Sequence, residues 1–195
     1  MKILIIDCSN GNYVSLISGD KIIERKNDSK VSDDALKMID ECLNEAKIKT
    51  ANLDAVAVSI GPGSFTGIRV GLTIAKTMSF VSKIPLIAFT SFETIAYNNK
   101  GQRAVKGFSN FVYVDDSKTQ NCVDKTEFNE KNKKEILVCE DLGLAHQKIV
   151  KINREKVVLE KFNVKDFADA KTIEPLYLRL SQAEIERNKN GNKKG

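Results

Sequence analysis

The sequence predicts an α/β protein with a smaller second lobe, and three observations carry that prediction. β-branched apolar runs alternate with helix-period runs through residues 3–98. A glycine-rich loop, Gly61-Pro62-Gly63-Ser64-Phe65-Thr66-Gly67, lies between the apolar run Ala55 to Ile60 and the helix-period run Ile68 to Val81. Beyond residue 98 the pattern weakens, so the second half reads as reduced. At 195 residues the chain has room for one large domain or two small ones. Its 42% hydrophobic and 29% charged content is that of an ordinary globular protein.

The elements follow in order. Ile3 to Cys8 reads as a buried strand that carries Asp7 near its end. Ser9-Asn10-Gly11-Asn12 is a turn, Tyr13 to Ile17 a second strand, and Gly19-Asp20 a tight turn into Lys21 to Arg25, giving a three-stranded meander. Ser32, Asp33 and Asp34 supply an N-cap and a negative first turn, and Leu36, Ile39, Leu43 and Ala46 then recur at helical spacing, so a helix is expected from about Asp33 to Lys47. Asp54 to Ile60 is a strand. After the glycine loop, Ile68, Gly71, Leu72, Ala75 and Ser79 share one face of a second helix. Pro85 to Phe89 is a strand, and Thr90-Ser91-Phe92-Glu93 is a capping box that opens a third helix. The order is βββαβαβα.

In the second half, Phe111 to Val114 and Glu135 to Cys139 read as strands, with short helices expected near 144–150 and 164–170. Pro175 to Arg179 is extended or a turn, followed by a short helical piece. No internal repeat is visible. The expected division is 1–98 as the first lobe, 99–180 as a shortened second lobe, and 181–195 as a terminal helix with a basic tail.

Charge and cysteine content narrow the function. The net charge is +5, and the only cation cluster is the tail from Arg187 to Gly195, so no nucleic-acid footprint is expected on the folded part. Cys8, Cys42, Cys122 and Cys139 form no Cys-x-x-Cys pair and His146 is the single histidine, so no zinc site is expected and the thiols read as reduced. No apolar run reaches membrane-spanning length and no signal peptide is evident; a cytoplasmic protein without a membrane partner is expected.

The glycine loop is not a Walker A motif, because Ile68-Arg69 follows Gly67 where Lys-Ser would stand. It is not a dinucleotide fingerprint either: the spacing is G-x-G-x-x-x-G, and Pro62 has no N–H to donate. Two readings remain, an anion site at a helix start and a tight turn that sets the packing of the second helix; the second is favoured. Arg69, in the first helical turn, is expected to brace a carboxylate. One histidine and no partner at a useful spacing leave no nucleophile–histidine–acid set, so no catalytic residue is assigned.

A βββαβα order whose first strand ends in Asp is the skeleton of the actin-like, sugar-kinase and heat-shock ATPase superfamily. In that superfamily the Asp and a following Gly-Thr turn hold nucleotide phosphates and magnesium. Here the turn is Asp7-Cys8-Ser9-Asn10-Gly11, with the Gly displaced and Asn in the Thr position. Asp7 is therefore read as a strand-end hydrogen-bonding group, the vestige of a nucleotide site. The string Gly61 to Gly71 resembles the signature of the TsaB (YeaZ) family, a bacterial component of the machinery that makes threonylcarbamoyladenosine in tRNA. Ile3 to Cys8, Pro85 to Glu93 and Pro175 to Glu184 also resemble that family's motifs. The chain departs from it at Val31-Ser32-Asp33 and at Val105 to Ser109, where roles tied to the family's usual residues are not carried over.

The resemblance implies an actin-like fold and a non-catalytic subunit that pairs with and activates a catalytic paralog, TsaD. It implies a TsaE-like ATPase on the assembled pair, tRNA as an indirect partner, and a homodimer as an alternative state. The TsaD family is itself similar, but its metal is held by His-x-x-x-His. Four residues to either side of His146 stand Leu142 and Val150, so no metal ligand is assigned. No cofactor is required of this chain; ATP with magnesium at the subunit junction stays open. The partner-facing residues implied are Leu36, Ile39, Leu43, Ile68, Gly71, Leu72 and Ala75, with Met38, Cys42, Thr77 and Met78 as a second edge. A nucleotide-dependent phosphotransferase of the same fold, resting on Asp7 and the glycine loop, is the alternative from another class. Direct tRNA binding by the basic tail is a third reading.

Overall fold

A computed structural model describes residues 1–28 and 32–179. Strand β1 (Lys2–Asp7) pairs antiparallel with β2 (Asn12–Ser18), Ile3 opposite Ile17 and Asp7 opposite Tyr13; β2 pairs antiparallel with β3 (Lys21–Asn27). Helix α1 (Ser32–Ala46) follows. Strand β4 (Ala55–Ser59) lies parallel to β1; the glycine loop and α2 (Phe65–Ser82) then lead to β5 (Leu86–Phe89), parallel to β4. The sheet order is β3-β2-β1-β4-β5. β1 and β4 are covered on both faces, which is why their sequences are continuous apolar runs rather than alternating ones. Leu4, Ile6, Val56 and Val58 face α1 and α2, and Ile3, Ile5, Ala57 and Phe89 face the other way.

Helix α3 (Ser91–Ala96) begins at the expected capping box: the Thr90 side chain accepts from the Glu93 N–H, and the Glu93 carboxylate accepts from the Thr90 N–H. A second meander comes next, β6 (Gln102–Lys106), β7 (Phe111–Asp115) and β8 (Gln120–Asp124), then α4 (Lys125–Lys131), β9 (Ile136–Val138) parallel to β6, and β10 (Gln147–Ile149) parallel to β9. The order β10-β9-β6-β7-β8 repeats the first sheet's plan of meander, helix and two parallel strands. The sequence shows no repeat because only the topology is duplicated. The second copy is smaller. The first joins its parallel strands through the 18-residue α2, and the second through residues 139–146 with no helix.

Two sequence expectations are corrected. Residues 144–150 are a turn and β10, not a helix; Gly143 and His146 take left-handed φ values of 64° and 59°, which end any helical run. Residues 164–170 hold no helix either. The helix is α5 (Arg154–Asn163), capped by the Asn153 side chain accepting from the Lys156 N–H. Its Val157 and Val158 pack against Ile3, Ile5 and Phe89, and Ala168 bridges to Leu86. Residues 154–173 thus pack back against the first sheet, while Val150 and Ile152 just before them still pack in the second sheet's cluster. The terminal helix and tail expected at 181–195 lie outside the described residues. No helix among the described residues is long and apolar enough to cross a membrane.

Candidate functional site at the glycine loop

The loop's glycines are required by another piece of this same chain. A Cβ on Gly63 would stand 2.3 Å from the Ser9 carbonyl oxygen, and one on Gly67 would stand 2.0 Å from the Cys8 carbonyl oxygen. The β1–β2 turn is pressed against the start of α2, and only glycine leaves room for it. The Ser64 N–H donates to the Ser9 carbonyl at 2.7 Å. The Ser64 hydroxyl accepts from the Gly67 N–H at 3.2 Å as the N-cap of α2, and the Ile68 N–H donates to the Ser64 carbonyl. These bonds commit the Ser64, Gly67 and Ile68 N–H groups within the chain. Gly61, at φ 97°, precedes Pro62 through a cis peptide bond. Phe65 and Thr66 are exposed on the outer side of the loop.

Asp7 is 4% exposed, and both of its oxygens are committed. Oδ1 accepts from the Ser9 N–H at 3.0 Å and the Ser9 hydroxyl at 2.6 Å; Oδ2 accepts from Arg154 Nε at 2.6 Å. Burial alone would raise its pKa, but the Arg154 charge and the hydrogen bonds from Ser9 and Arg154 outweigh it and hold the carboxyl below the usual carboxylate range. The Arg154 guanidinium lies 4.2 Å over the Tyr13 ring. Tyr13 and Ser15 hydroxyls both donate to Glu155, at 2.6 and 2.8 Å. The Ser91 hydroxyl donates to the Pro62 carbonyl at 3.0 Å and lies 3.3 Å from the Ser9 hydroxyl. The end of β1, the loop, α3 and α5 therefore meet around one carboxylate. Next to it, burial and the Asp7 charge push the Cys8 thiol up to about 12.

The helix residues implied as partner-facing separate into two groups. Ile39, Leu43, Ile68, Leu72 and Ala75 are 8% exposed or less and Gly71 is buried, so these side chains are spent on the chain's own core. Gly71 looks onto Cys8 and Ile6 rather than onto another helix. Only Leu36, at 55% exposure, lies outside. Of the second edge, Met38 and Cys42 are buried, Met78 is half-buried and Thr77 is exposed. The uncovered side of α2 is instead Thr73, Thr77, Phe80 and Val81, with Val70 half-buried beside them. Among the described residues Arg69 braces no carboxylate: it donates to the Tyr177 hydroxyl at 2.6 Å and lies 4.2 Å over the Phe65 ring.

A cavity of about 500 Å³ between the two sheets is lined by Thr90, Glu93, Arg103, Asp115, Lys161 and Asp166 among others. Its charges are paired with one another: Arg103 with Asp115 at 2.8 Å, and Lys161 with Glu93 at 2.9 Å and Asp166 at 2.8 Å. Sequence patterning found Thr90 and Glu93 as the capping box, but not Arg103, Asp115, Lys161, Asp166 or Arg154, whose pairings depend on strand register and tertiary packing. His146 is exposed, and among the described residues no group of three or more His, Cys, Asp or Glu side chains is arranged to hold a metal ion.

Residues 26–123 match the family model described as TsaD, tRNA N6-adenosine threonylcarbamoyltransferase. The chain is 36% identical over 107 residues to the tRNA threonylcarbamoyladenosine biosynthesis protein TsaB of Bacillus subtilis, a match that covers 51% of this chain and 45% of that protein. It is 39% identical over 79 residues to a tRNA N6-adenosine threonylcarbamoyltransferase of Caldicellulosiruptor saccharolyticus, covering 40% of this chain and 22% of that one. The matched segment thus spans less than half the length of these curated relatives. The solved structure of YeaZ from Pseudomonas aeruginosa superposes with a TM-score of 0.71 at 16% identity, over 91% of this chain and 99% of that one, which shows a shared fold. Joined to the duplicated two-sheet fold and the glycine loop packed on the β1–β2 turn, these matches show that the chain belongs to the TsaD-type family and, within it, to the TsaB (YeaZ) proteins.

Proposed function

We propose that this chain is a non-catalytic subunit in tRNA threonylcarbamoyladenosine biosynthesis, one that pairs with a TsaD-type catalytic paralog and orders its active site. The observation that carries the reading is the split within α2. One face is consumed by the core, while Thr73, Thr77, Phe80 and Val81 are uncovered, the last two at 73% and 71% exposure. The helix carries no acidic residue, and only Arg69 and Lys76 are charged. An apolar helix face of this kind gains by meeting another helix face. The catalytic paralog shares this fold and is the partner of matching shape; an ATPase of the TsaE type would act on the assembled pair. Pairing shifts the partner toward its competent conformation through its differential affinity for that state. Against the phosphotransferase reading weighs Asp7, whose two oxygens are taken by Ser9 and Arg154.

The test is size-exclusion chromatography with light scattering, on this chain alone and mixed with the catalytic paralog of its own organism. A mixed complex that is lost in Phe80→Asp and in Val81→Asp, with unchanged circular dichroism and melting temperature, supports the reading. A chain that stays apart from the paralog, or reconstituted tRNA modification at full rate without it, overturns the reading. Gly71→Arg or Ala75→Arg would not serve, because a charge at either buried position disrupts the chain's own core.

A further inference from the structure

The described arginines fall into two classes. Arg25 pairs with Glu41 and Glu45, Arg103 with Asp115, and Arg154 with Asp7. Arg69 and Arg179 have no carboxylate partner among the described residues, and each lies against aromatic rings instead. Arg69 is 4.2 Å from the Phe65 ring centroid and 5.7 Å from that of Tyr177. Arg179 is 4.7 Å from the Phe111 centroid and 5.8 Å from that of Phe108. The Phe65 and Tyr177 rings stack at 5.1 Å with 27° between their planes.

The two clusters form one band. Tyr177 and Arg179 are two residues apart, so their Cα atoms are within about 7 Å. Leu178 between them turns inward onto the cluster of Phe92, Ile95 and Val105. Phe108 stands at the tip of the β6–β7 turn, which is closed by the Gly107 N–H donating to the Phe111 carbonyl and the Phe111 N–H donating to the Phe108 carbonyl, both at 3.1 Å. Ring surface remains open on the outer side: Phe108 is 64% exposed, Tyr177 41% and Phe65 39%.

Two guanidinium groups with no carboxylate partner among the described residues make the band cationic as well as aromatic. The complementary ligand is anionic and carries flat, stackable faces. Strands with splayed bases are bound this way, with bases stacked on aromatic side chains and phosphates met by arginine. We propose that the band of Phe65, Arg69, Tyr177, Arg179 and Phe108 binds unpaired nucleotides of an RNA strand directly. The choice of RNA over DNA rests on the proposed role in tRNA modification; the chemistry of the band does not. The band adjoins the proposed pairing face, since Arg69 and Thr73 are one turn apart on α2, while its outer end at Phe65 lies about 22 Å along the helix axis from Phe80.

The test is fluorescence anisotropy of the full chain alone with a labelled, unstructured RNA of about 10 nucleotides, a length within single-strand site sizes. Binding is expected, weakened about tenfold by Phe108→Ser, which is one stacked base's worth, with Arg179→Gln also lowering the slope against salt. Ile149→Ser, an exposed change on the far strand β10, should leave the affinity unaltered. Because Phe108 is an exposed turn tip, its variant should keep the wild-type melting temperature. Wild-type affinity in both Phe108→Ser and Arg179→Gln overturns the proposal. So does duplex RNA binding as tightly as the single strand, AMP binding as tightly as the oligomer, or no binding at low salt. The titration needs no partner, so a chain that binds RNA but fails to pair with the paralog overturns the pairing and leaves this assignment standing.

Discussion

Asp7 works inward, and its chemistry can be tested one residue at a time. Its ion pair with Arg154 is nearly dry, with side-chain exposures of 4% and 17%. Asp7→Asn removes the carboxylate bonded to the buried guanidinium, leaving Glu155 as its weaker remaining counter-charge, and should cost about 3 kcal/mol in urea unfolding, the lower end for removing one partner of a buried pair. The pH dependence has a definite sign. Burial opposes ionisation of Asp7, but Arg154 and Ser9 outweigh it, so its folded pKa lies below the ordinary value. A depressed carboxyl contributes in full above the unfolded pKa of about 3.9 and loses its contribution as the pH falls through the folded value. Asparagine does not titrate, so the stability gap between wild type and Asp7→Asn should narrow as the pH drops below about 4. A gap that stays constant down the acid limb would mean that the pair contributes nothing to the fold. The sequence suggested a strand-end hydrogen-bonding role for Asp7 because the turn after it lacked the superfamily's Gly and Thr. Arg154 could not be foreseen, since nothing local links positions 147 residues apart.

At the scale of the element, the loop and α2 offer a contrast between two glycines four residues apart. A Cβ at Gly67 meets the Cys8 carbonyl oxygen at 2.0 Å, a main-chain atom that cannot step aside. Gly67→Ala should destabilise by about 3 kcal/mol, the upper range of an overpacked core. A Cβ at Gly71 would find Cys8 Sγ at 3.5 Å, an ordinary contact, and alanine is worth about 1 kcal/mol over glycine inside a helix. Gly71→Ala should therefore be neutral or stabilising by up to about 1 kcal/mol. Thermal melts of both variants check the pair; a harmless Gly67→Ala would mean that the loop does not hold the β1–β2 turn. The sequence excluded two phosphate-binding loops from spacing and Pro62 alone, yet the wall the glycines meet comes from residues 8 and 9. Helical periodicity also found the stripe of Ile68, Gly71, Leu72 and Ala75, but such a stripe is what the core uses first. The uncovered side contains Thr73 and Thr77, which a search for apolar spacing passes over. The strands β6 and β8 were missed for a related reason: Gln102, Arg103 and Lys106, and Gln120, Asn121 and Asp124, surround their few apolar residues.

Across the whole molecule, the two sheets share one plan, and residues 173–178, which include the start of the family-like segment, run from one to the other. Lys76 Nζ donates to the Ile173 carbonyl at 3.0 Å, and the Leu176 N–H donates to the Ile60 carbonyl at 2.8 Å, which fixes the segment to the first sheet and α2. Leu178 then enters the second sheet's cluster beside Val105, Tyr113 and Leu137. On another side, Asn10 Nδ2 donates to Glu140 Oε1 at 2.8 Å on the exposed surface. The sequence made this segment legible as a family motif and as extended chain, but not as a strap, because both its anchorages are long-range. A strap of this kind makes a prediction that a single core would not. Leu178→Ala removes a partly buried side chain and should cost about 1–2 kcal/mol, less than a fully buried leucine. The loss should be local: amide exchange should quicken in β6 and β7, while β1 and β4, buried on both faces, keep their protection. Equal loss of protection in both sheets would mean that they unfold as one unit. The tie between them would then reside in the shared core of α3 with β6 and β9 rather than in the strap, because Phe92 and Ile95 pack in the same cluster as Val105 and Leu137.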